Sequence, residues 1–263
     1  MERSSVVLVG HLLVLLALVP VGSSWDKWSI INPMMQIKPN VKLKYSLKNY
    51  CESWRMNVEL NNIRDFEVVP GECVYYIENY MTSKQYKVDQ ERVVEQALLY
   101  LTVIDLAGHG KEAWIFDVDD TLLSTIPYFR DHSFGGEVTD RASIEKWMGE
   151  VKAPAMEAVL PLYNKLKMKG VKILIITGRG EHLRSATAEN LVRSGFTGWT
   201  ELIMREAEDN YKTTLAFKSE KRKQLVKEGY HILGNVGDQW SDILGSEAGI
   251  RTFKLPNSMY YTA

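Results

Sequence analysis

The chain has 263 residues, of which 45% are hydrophobic, 25% are charged and 10% are aromatic. These fractions are typical of folded domains and exclude a disordered, collagen-like or coiled-coil protein, while a count of two cysteines excludes a disulfide-dense miniprotein. Because 32 Lys and Arg residues stand against 33 Asp and Glu residues, the formal net charge is −1, and nonspecific binding of nucleic acid is not expected.

The N-terminal segment, residues 1–24, is predicted to be a secretory signal peptide. Arg3 precedes an apolar run over residues 6–19, and small residues follow at 22–24. The run is shorter than the roughly 20 residues of a membrane-spanning helix, and it has the length of a signal-peptide core. A membrane anchor or a buried apolar helix is the alternative. We therefore expect an extracellular or vacuolar protein that has no membrane contact after cleavage.

Residues 25–110 are predicted to form a helical extension packed on the core. One helix is expected over 47–58 and a second over 89–107, where apolar residues recur every three or four positions and Gly108 marks the end. In an oxidising compartment, Cys51 and Cys73 can form a disulfide in this extension. Two separate buried thiols are the alternative, because the sequence does not show whether the two Cα atoms lie within bridging distance.

From residue 111 onward, short apolar runs alternate with helical patterns, which is typical of an α/β fold with a parallel sheet and crossover helices. The predicted strands are 113–116, 171–176, 201–204, 231–236 and 250–255. The predicted helices are 156–169, 182–194 and 219–228. Pro161 is compatible with the first of these helices only if it lies in the opening turn.

A buried strand that ends in acidic residues is the most informative feature of the sequence. The apolar run 113–116 leads directly to Asp117, and Asp119, Asp120 and Thr121 follow within the next few positions. Open α/β sheets bind their ligands at the carboxyl ends of parallel strands. The position therefore predicts a functional site for these carboxylates, although Asp120 itself is interpreted as a solvated turn acid.

Three further polar signals occupy comparable places in the later strand and helix units. Thr177 and Arg179 follow the second predicted strand, Lys218 precedes the helix predicted from residue 219, and Asp238 and Asp242 follow the fourth strand. Because the ends of parallel strands meet at one edge of a sheet, we expect these side chains to face one crevice.

The residue types fit the hydrolysis of a phosphate monoester. Asp117 can attack phosphorus and become an aspartyl phosphate, while Asp119 can protonate the leaving oxygen and then activate the water that cleaves the intermediate. Thr177 can bind the transferring oxygens, and Lys218 can neutralise the charge that develops there. A Mg²⁺ site completed by Asp238 would offset the charge of the phosphate.

Other phosphate chemistries are disfavoured by what the sequence lacks. The histidines after the N-terminal segment have no ligand-like spacing, and no Gly-x-x-x-x-Gly-Lys-Ser/Thr motif occurs, which argues against a histidine phosphatase and a P-loop hydrolase. Arg179 can bind a substrate phosphate through its planar guanidinium group or form an ordinary surface salt bridge, and both interpretations stay open.

The order of the four motifs resembles that of the haloacid dehalogenase (HAD) superfamily of phosphohydrolases. More narrowly, the stretches 116–123, 217–222 and 254–261 are similar to plant acid phosphatases and vegetative storage proteins of that superfamily. The resemblance implies a Rossmann-like catalytic domain over 111–263 with a small cap insert at about 122–155. It also implies Mg²⁺ dependence, a phosphoaspartate intermediate, an acidic pH optimum, small phosphate monoester substrates and a homodimer.

The resemblance assigns further roles within the motifs. It places Asp117, the backbone carbonyl of Asp119, and Asp238 in the metal shell. It makes Asp242 and Thr121 ancillary, with Asp242 either in the outer metal shell or orienting Lys218. Some members of the family serve mainly as nitrogen stores and lack the nucleophilic acid. Since Asp117 is present, we expect a working enzyme, and a storage protein with weak or vestigial phosphatase activity is the alternative.

The cap insert contains four aromatic residues that allow two interpretations. They can form the small core of the insert, which we favour, or they can shape the pocket for the leaving group. The residues are Tyr128, Phe129, Phe134 and Trp147.

Overall fold

The computed structural model describes residues 46–106, 108 and 110–263, which belong to one compact unit that runs from Leu43 to Ala263. The predicted signal peptide at 1–24 and the start of the predicted extension lie outside the described residues. Among the described helices, none is long and apolar enough to cross a lipid bilayer.

A parallel sheet carries the motifs and confirms the predicted α/β class. Its strand order is β3-β2-β1-β4-β5, and every neighbouring pair is parallel. The central strand β1 is buried along its whole length, as expected for an apolar run covered on both faces. The strands are β1 Glu112–Phe116, β2 Lys172–Gly180, β3 Glu201–Arg205, β4 His231–Gly237 and β5 Arg251–Lys254.

Helices lie before the sheet in the chain and between its strands. Those in the described residues are α1 Leu47–Glu59, α2 Val74–Met81, α3 Lys84–Val103, α4 Ile126–Arg130, α5 Arg141–Gly149, α6 Leu160–Met168, α7 Arg184–Arg193, α8 Thr214–Lys227 and α9 Trp240–Ile243. Pro161 lies in the opening turn of α6, where its missing N–H group is tolerated.

Several helix boundaries differ from the sequence prediction: α3 begins at Lys84 rather than at residue 89, and α6 begins at Leu160 rather than at residue 156. Helix α8 begins at Thr214 rather than near residue 219, because the Thr213 hydroxyl caps it by accepting a hydrogen bond from Ala216 N at 3.2 Å. Lys218 therefore lies inside a helix and not before one, which corrects the prediction. Helix α3 ends at Val103 rather than at residue 107, because Ile104 already adopts extended backbone dihedral angles.

Of the helices over residues 47–103, α3 contacts the sheet. Tyr100 of α3 contacts Trp114 of β1 through its ring at 6.1 Å, and its hydroxyl donates to Leu233 O of β4 at 3.2 Å. The predicted disulfide between Cys51 and Cys73 is present, and both sulfur-bearing residues are fully buried. It links α1 to the turn that precedes α2.

The insert after the first motif consists of α4, α5 and a short turn between them. All four of its aromatic residues are buried, but they belong to the same hydrophobic cluster as Trp114 and Phe116 of β1, so the insert shares the main core and does not form a small core of its own: Tyr128, Phe129, Phe134 and Trp147. Phe129 also lines the cleft described below and stacks on Tyr260 at 5.1 Å, so it contributes to the pocket as well.

Candidate active site

Three carboxylates meet at the carboxyl ends of β1 and β4. Ligand oxygens of Asp117, Asp238 and Asp242 all lie within 4.8 Å of one another, and all three residues are buried. The two strands are adjacent in the sheet, and Asp117 N donates to Val236 O at 3.1 Å, which places the two acidic motifs side by side. The crevice predicted from the motif order is therefore present for these residues.

Lys218 reaches the same cluster from the second turn of α8. Its ammonium group donates to Asp117 Oδ1 at 2.5 Å and to Asp242 Oδ1 at 2.6 Å. Burial by itself would lower the pKa of Lys218, but the two carboxylates raise it above its ordinary value. The group is therefore charged, and of the two roles expected for Asp242 the geometry matches the orientation of Lys218.

The tight turn between β4 and α9 fixes the position of Asp242. Asp242 Oδ2 accepts a hydrogen bond from Gln239 N at 2.8 Å. A Cβ atom on Gly237 would lie 2.3 Å from Asp242 Cβ, a distance that no side chain permits. The glycine at the end of β4 is thus required for the close approach of the acid.

The electrostatics of this cluster fit a divalent cation. Burial raises the pKa of Asp117, and burial together with Asp242, Asp117 and Asp120 raises the pKa of Asp238 well above its ordinary value. Within the described part of the chain, Lys218 forms ion pairs with Asp117 and Asp242, and Asp238 has no ion-pair partner. Carboxylate oxygens are the ligands that Mg²⁺ prefers, so the donor set suits a hard divalent ion.

The Asp119 side chain turns to a different partner. Arg179 donates to its carboxylate from Nη2 at 2.7 Å and from Nε at 3.1 Å, and Arg179 Nη1 donates to Thr187 Oγ1 at 3.1 Å. Arg179 is only 4% exposed. The salt bridge is buried, so the ordinary surface salt bridge considered for Arg179 is wrong, while binding of a substrate phosphate by Arg179, which also lines the cleft, stays a prediction.

Thr177 is fully buried in β2, and its hydroxyl accepts a hydrogen bond from Arg179 N at 3.2 Å. Among the described residues, Gly178 and Arg179 form this part of the cleft wall, and the Thr177 side chain does not. Thr121 lies near the acidic cluster, with its hydroxyl 3.4 Å from Asp238 Oδ1.

Asp120 is not the solvated turn acid that the sequence suggested. It is 0% exposed and has a positive φ of 50°. Its carboxylate accepts hydrogen bonds from Thr125 N at 2.9 Å, from the Thr125 hydroxyl and from the Tyr260 hydroxyl at 2.9 Å. These donors replace the water that such a carboxylate would otherwise need.

Two residues of the segment after β5 complete the acidic site, and the sequence analysis assigned neither a role. Asn257 Nδ2 donates to Asp238 Oδ2 at 2.8 Å, and the Tyr260 hydroxyl lies 3.2 Å from the same oxygen. Burial raises the pKa of Tyr260 well above its ordinary value, as do Asp120 and Asp238, so the phenol stays protonated and donates. Both residues lie in the stretch 254–261, whose similarity to the plant acid phosphatases was the one sign in the sequence that this segment has a function.

The cluster opens into a cleft of about 720 Å³. Asp117, Asp119 and Lys218 line it together with aromatic rings and four further basic side chains. The aromatic residues are Phe66, Phe129, Tyr260 and Tyr261, and the basic ones are Arg141, Arg179, Arg205 and Lys212. A cleft of this size accommodates a small ligand.

Comparisons with known proteins show the family to which the chain belongs. Residues 38–263 match the family described as HAD superfamily, subfamily IIIB (acid phosphatase). Acid phosphatase 1 of Solanum lycopersicum is 44% identical over 229 residues, covering 87% of this chain and 89% of that protein. Vegetative storage protein 2 of Arabidopsis thaliana is 38% identical over 238 residues, covering 90% of this chain and 89% of that protein.

Solved structures show the same fold at greater evolutionary distance. The class C acid phosphatase from Bacillus anthracis with tungstate bound has a TM-score of 0.59 and 21% identity, and the match covers 72% of this chain and 85% of that one. At this identity the likeness concerns the fold alone. The fold, the matched family and the similar relatives together confirm the resemblance seen in the motifs: the chain belongs to the acid phosphatase family that forms subfamily IIIB of the HAD superfamily.

Proposed function

We propose that this member of the acid phosphatase family hydrolyses small phosphate monoesters in a Mg²⁺-dependent reaction, through a phosphoaspartate intermediate on Asp117. The observation that carries the proposal is the buried Asp117 carboxylate, which lines the cleft and is held by Lys218 at 2.5 Å beside Asp238 and Asp242. A nucleophile, a positively charged group and the carboxylates that can bind a divalent ion therefore lie next to one another in the cleft.

Asp117, Asp238 and the backbone carbonyl of Asp119 would hold the cation. Bound there, Mg²⁺ would offset the negative charge of the phosphate and so reduce its repulsion of an anionic nucleophile. Lys218 also offsets part of the negative charge of the phosphate, because its ammonium group is buried and charged beside Asp117.

The chemical steps follow from the positions of the two acids of the first motif. An Asp117 oxygen attacks phosphorus, the bond between phosphorus and the leaving oxygen breaks, and Asp119 gives that oxygen its proton. Asp119 then takes a proton from water, which attacks phosphorus, releases inorganic phosphate and restores the Asp117 carboxylate. Because Arg179 holds Asp119 in the structure, we propose that Asp119 turns away from Arg179 for each proton transfer.

Hydrolysis of p-nitrophenyl phosphate tests the function. We expect turnover by the purified protein with Mg²⁺, loss of turnover after chelation with EDTA, and recovery when Mg²⁺ is added back. A storage protein is the second candidate, since vegetative storage proteins are among the relatives. Absence of turnover at every pH from acid to neutral, with Mg²⁺ present, would favour storage over catalysis.

The role of Asp119 as acid is tested by replacing it with Asn. Hydrolysis of an alkyl phosphate should fall about 10²–10⁴-fold, because an alkoxide needs a proton to leave. Hydrolysis of p-nitrophenyl phosphate should fall much less in single-turnover measurements, because p-nitrophenolate is a stable leaving group. Equal losses on the two substrates would contradict the role. Asp131→Asn, the same change at an exposed position in the insert, is the matched control.

We also propose that the protein is extracellular or vacuolar. The buried disulfide between Cys51 and Cys73 supports passage through an oxidising compartment, as does the predicted signal peptide. The homodimer implied by the resemblance stays a prediction.

A further inference from the structure

Asp238 is held by donors from three separate parts of the chain. Its Oδ2 atom lies 2.8 Å from Gln239 Nε2, 2.8 Å from Asn257 Nδ2 and 3.2 Å from the Tyr260 hydroxyl. Its Oδ1 atom lies 3.4 Å from the Thr121 hydroxyl. Oδ2 therefore accepts three hydrogen bonds and Oδ1 accepts one longer hydrogen bond, so the orientation of the carboxylate is set mainly through Oδ2.

Tyr260 joins this carboxylate to a second buried acid. Its hydroxyl lies within hydrogen-bond distance of both Asp120 Oδ2, at 2.9 Å, and Asp238 Oδ2. Asp120 is itself fixed by Thr125, at the start of the cap insert. The Tyr260 ring is fixed independently, because it stacks on Phe129 at 5.1 Å. The phenol therefore has little freedom to move away from the two carboxylates.

Hydrogen bonds to metal ligands determine where the ligands point, and their loss typically weakens metal binding. We propose that Asn257 and Tyr260 are positioning residues that hold Asp238 in the orientation that binds the divalent cation. This inference rests on the proposed metal-dependent function. The affinity for the cation then depends on the segment after β5 as well as on the motif at the end of β4.

The variants Tyr260→Phe and Asn257→Ala test the inference in the full chain. Tyr260→Phe removes the hydroxyl and keeps the ring that stacks on Phe129, so folding is preserved. We expect the dissociation constant for Mg²⁺, measured by isothermal titration calorimetry without substrate, to rise about 10-fold for Tyr260→Phe and up to about 100-fold for Asn257→Ala. The Mg²⁺ concentration that gives half-maximal turnover should rise in parallel, while kcat at saturating Mg²⁺ changes little.

Tyr261→Phe is the matched control, because Tyr261 lines the same cleft and packs on Phe66 at 6.1 Å. It should keep the wild-type affinity for Mg²⁺. Wild-type affinity in both Tyr260→Phe and Asn257→Ala would overturn the inference, as would a loss of kcat with the affinity unchanged. If the wild-type protein binds Mg²⁺ but does not turn over substrate, the proposed function fails, and the calorimetric comparison still decides the inference.

Discussion

Asp117→Asn is expected to lower the rate of phosphate monoester hydrolysis by on the order of 10⁴-fold or more. An amide oxygen is a poor nucleophile, so no covalent phosphoenzyme can form. The substitution changes the size of the side chain very little, and Lys218 keeps its hydrogen bond to Asp242 at 2.6 Å, so the fold should be retained. The effect can be measured by rapid acid quench with a substrate whose phosphoryl group is labelled. The wild-type protein should then carry the labelled phosphoryl group, and the variant should not.

Asp131→Asn again provides the control, because it makes the same chemical change on an exposed residue. It should retain both the wild-type rate and the trapped label. Turnover of Asp117→Asn at the wild-type rate would show that another residue is the nucleophile, even though the protein is a phosphatase.

Lys218→Met should reduce both stability and activity. The ammonium group is 2.5 Å from Asp117 and 2.6 Å from Asp242, and removing one partner of a buried ion pair leaves a charge without compensation. We expect the free energy of unfolding in urea to fall by about 3–5 kcal/mol at neutral pH in the presence of EDTA. Turnover with Mg²⁺ should fall about 10²–10³-fold, the size of effect seen when one group that stabilises transition-state charge is removed.

Lys223→Met, on the exposed part of the same helix, separates this effect from a general loss of helix propensity. It should change the free energy of unfolding by less than about 0.5 kcal/mol. Unchanged stability and rate in Lys218→Met would mean that the lysine neither compensates the acids nor acts on the transferring phosphate.

The order of the motifs was sufficient to predict which acids come together. Asp117 and Asp238 each follow an apolar strand, and the ends of parallel strands share one edge of a sheet. The number of strands and the proline in the opening turn of α6 also agree with the structure, whereas β2 runs on to Gly180 and so contains Thr177 and Arg179, which the prediction placed after the strand. These features depend on local patterns, which a sequence shows directly.

Contacts between distant residues could not be predicted in this way. Asp119 and Arg179 are 60 positions apart, and Asp120 is reached by Tyr260 across 140 positions. Nothing in the local pattern around Asp120 distinguishes a buried acid from an exposed turn acid, because the donors that permit its burial come from elsewhere. The start of α8 was missed for a different reason: the cap residue Thr213 lies outside the charged stretch that suggested the helix.

The donors from Asn257 and Tyr260 have a consequence for how the protein is made. A ribosome synthesises β1 and its acids long before it reaches residue 257, although all of these residues belong to one compact unit. When Asp120 leaves the ribosome, its hydrogen-bond donor Tyr260 has not yet been synthesised. Asp238 likewise precedes its donors Asn257 and Tyr260 in the chain. The nascent chain cannot assemble the complete acidic site until Asn257 and Tyr260 have left the exit tunnel, so a chain arrested before this point lacks these donors.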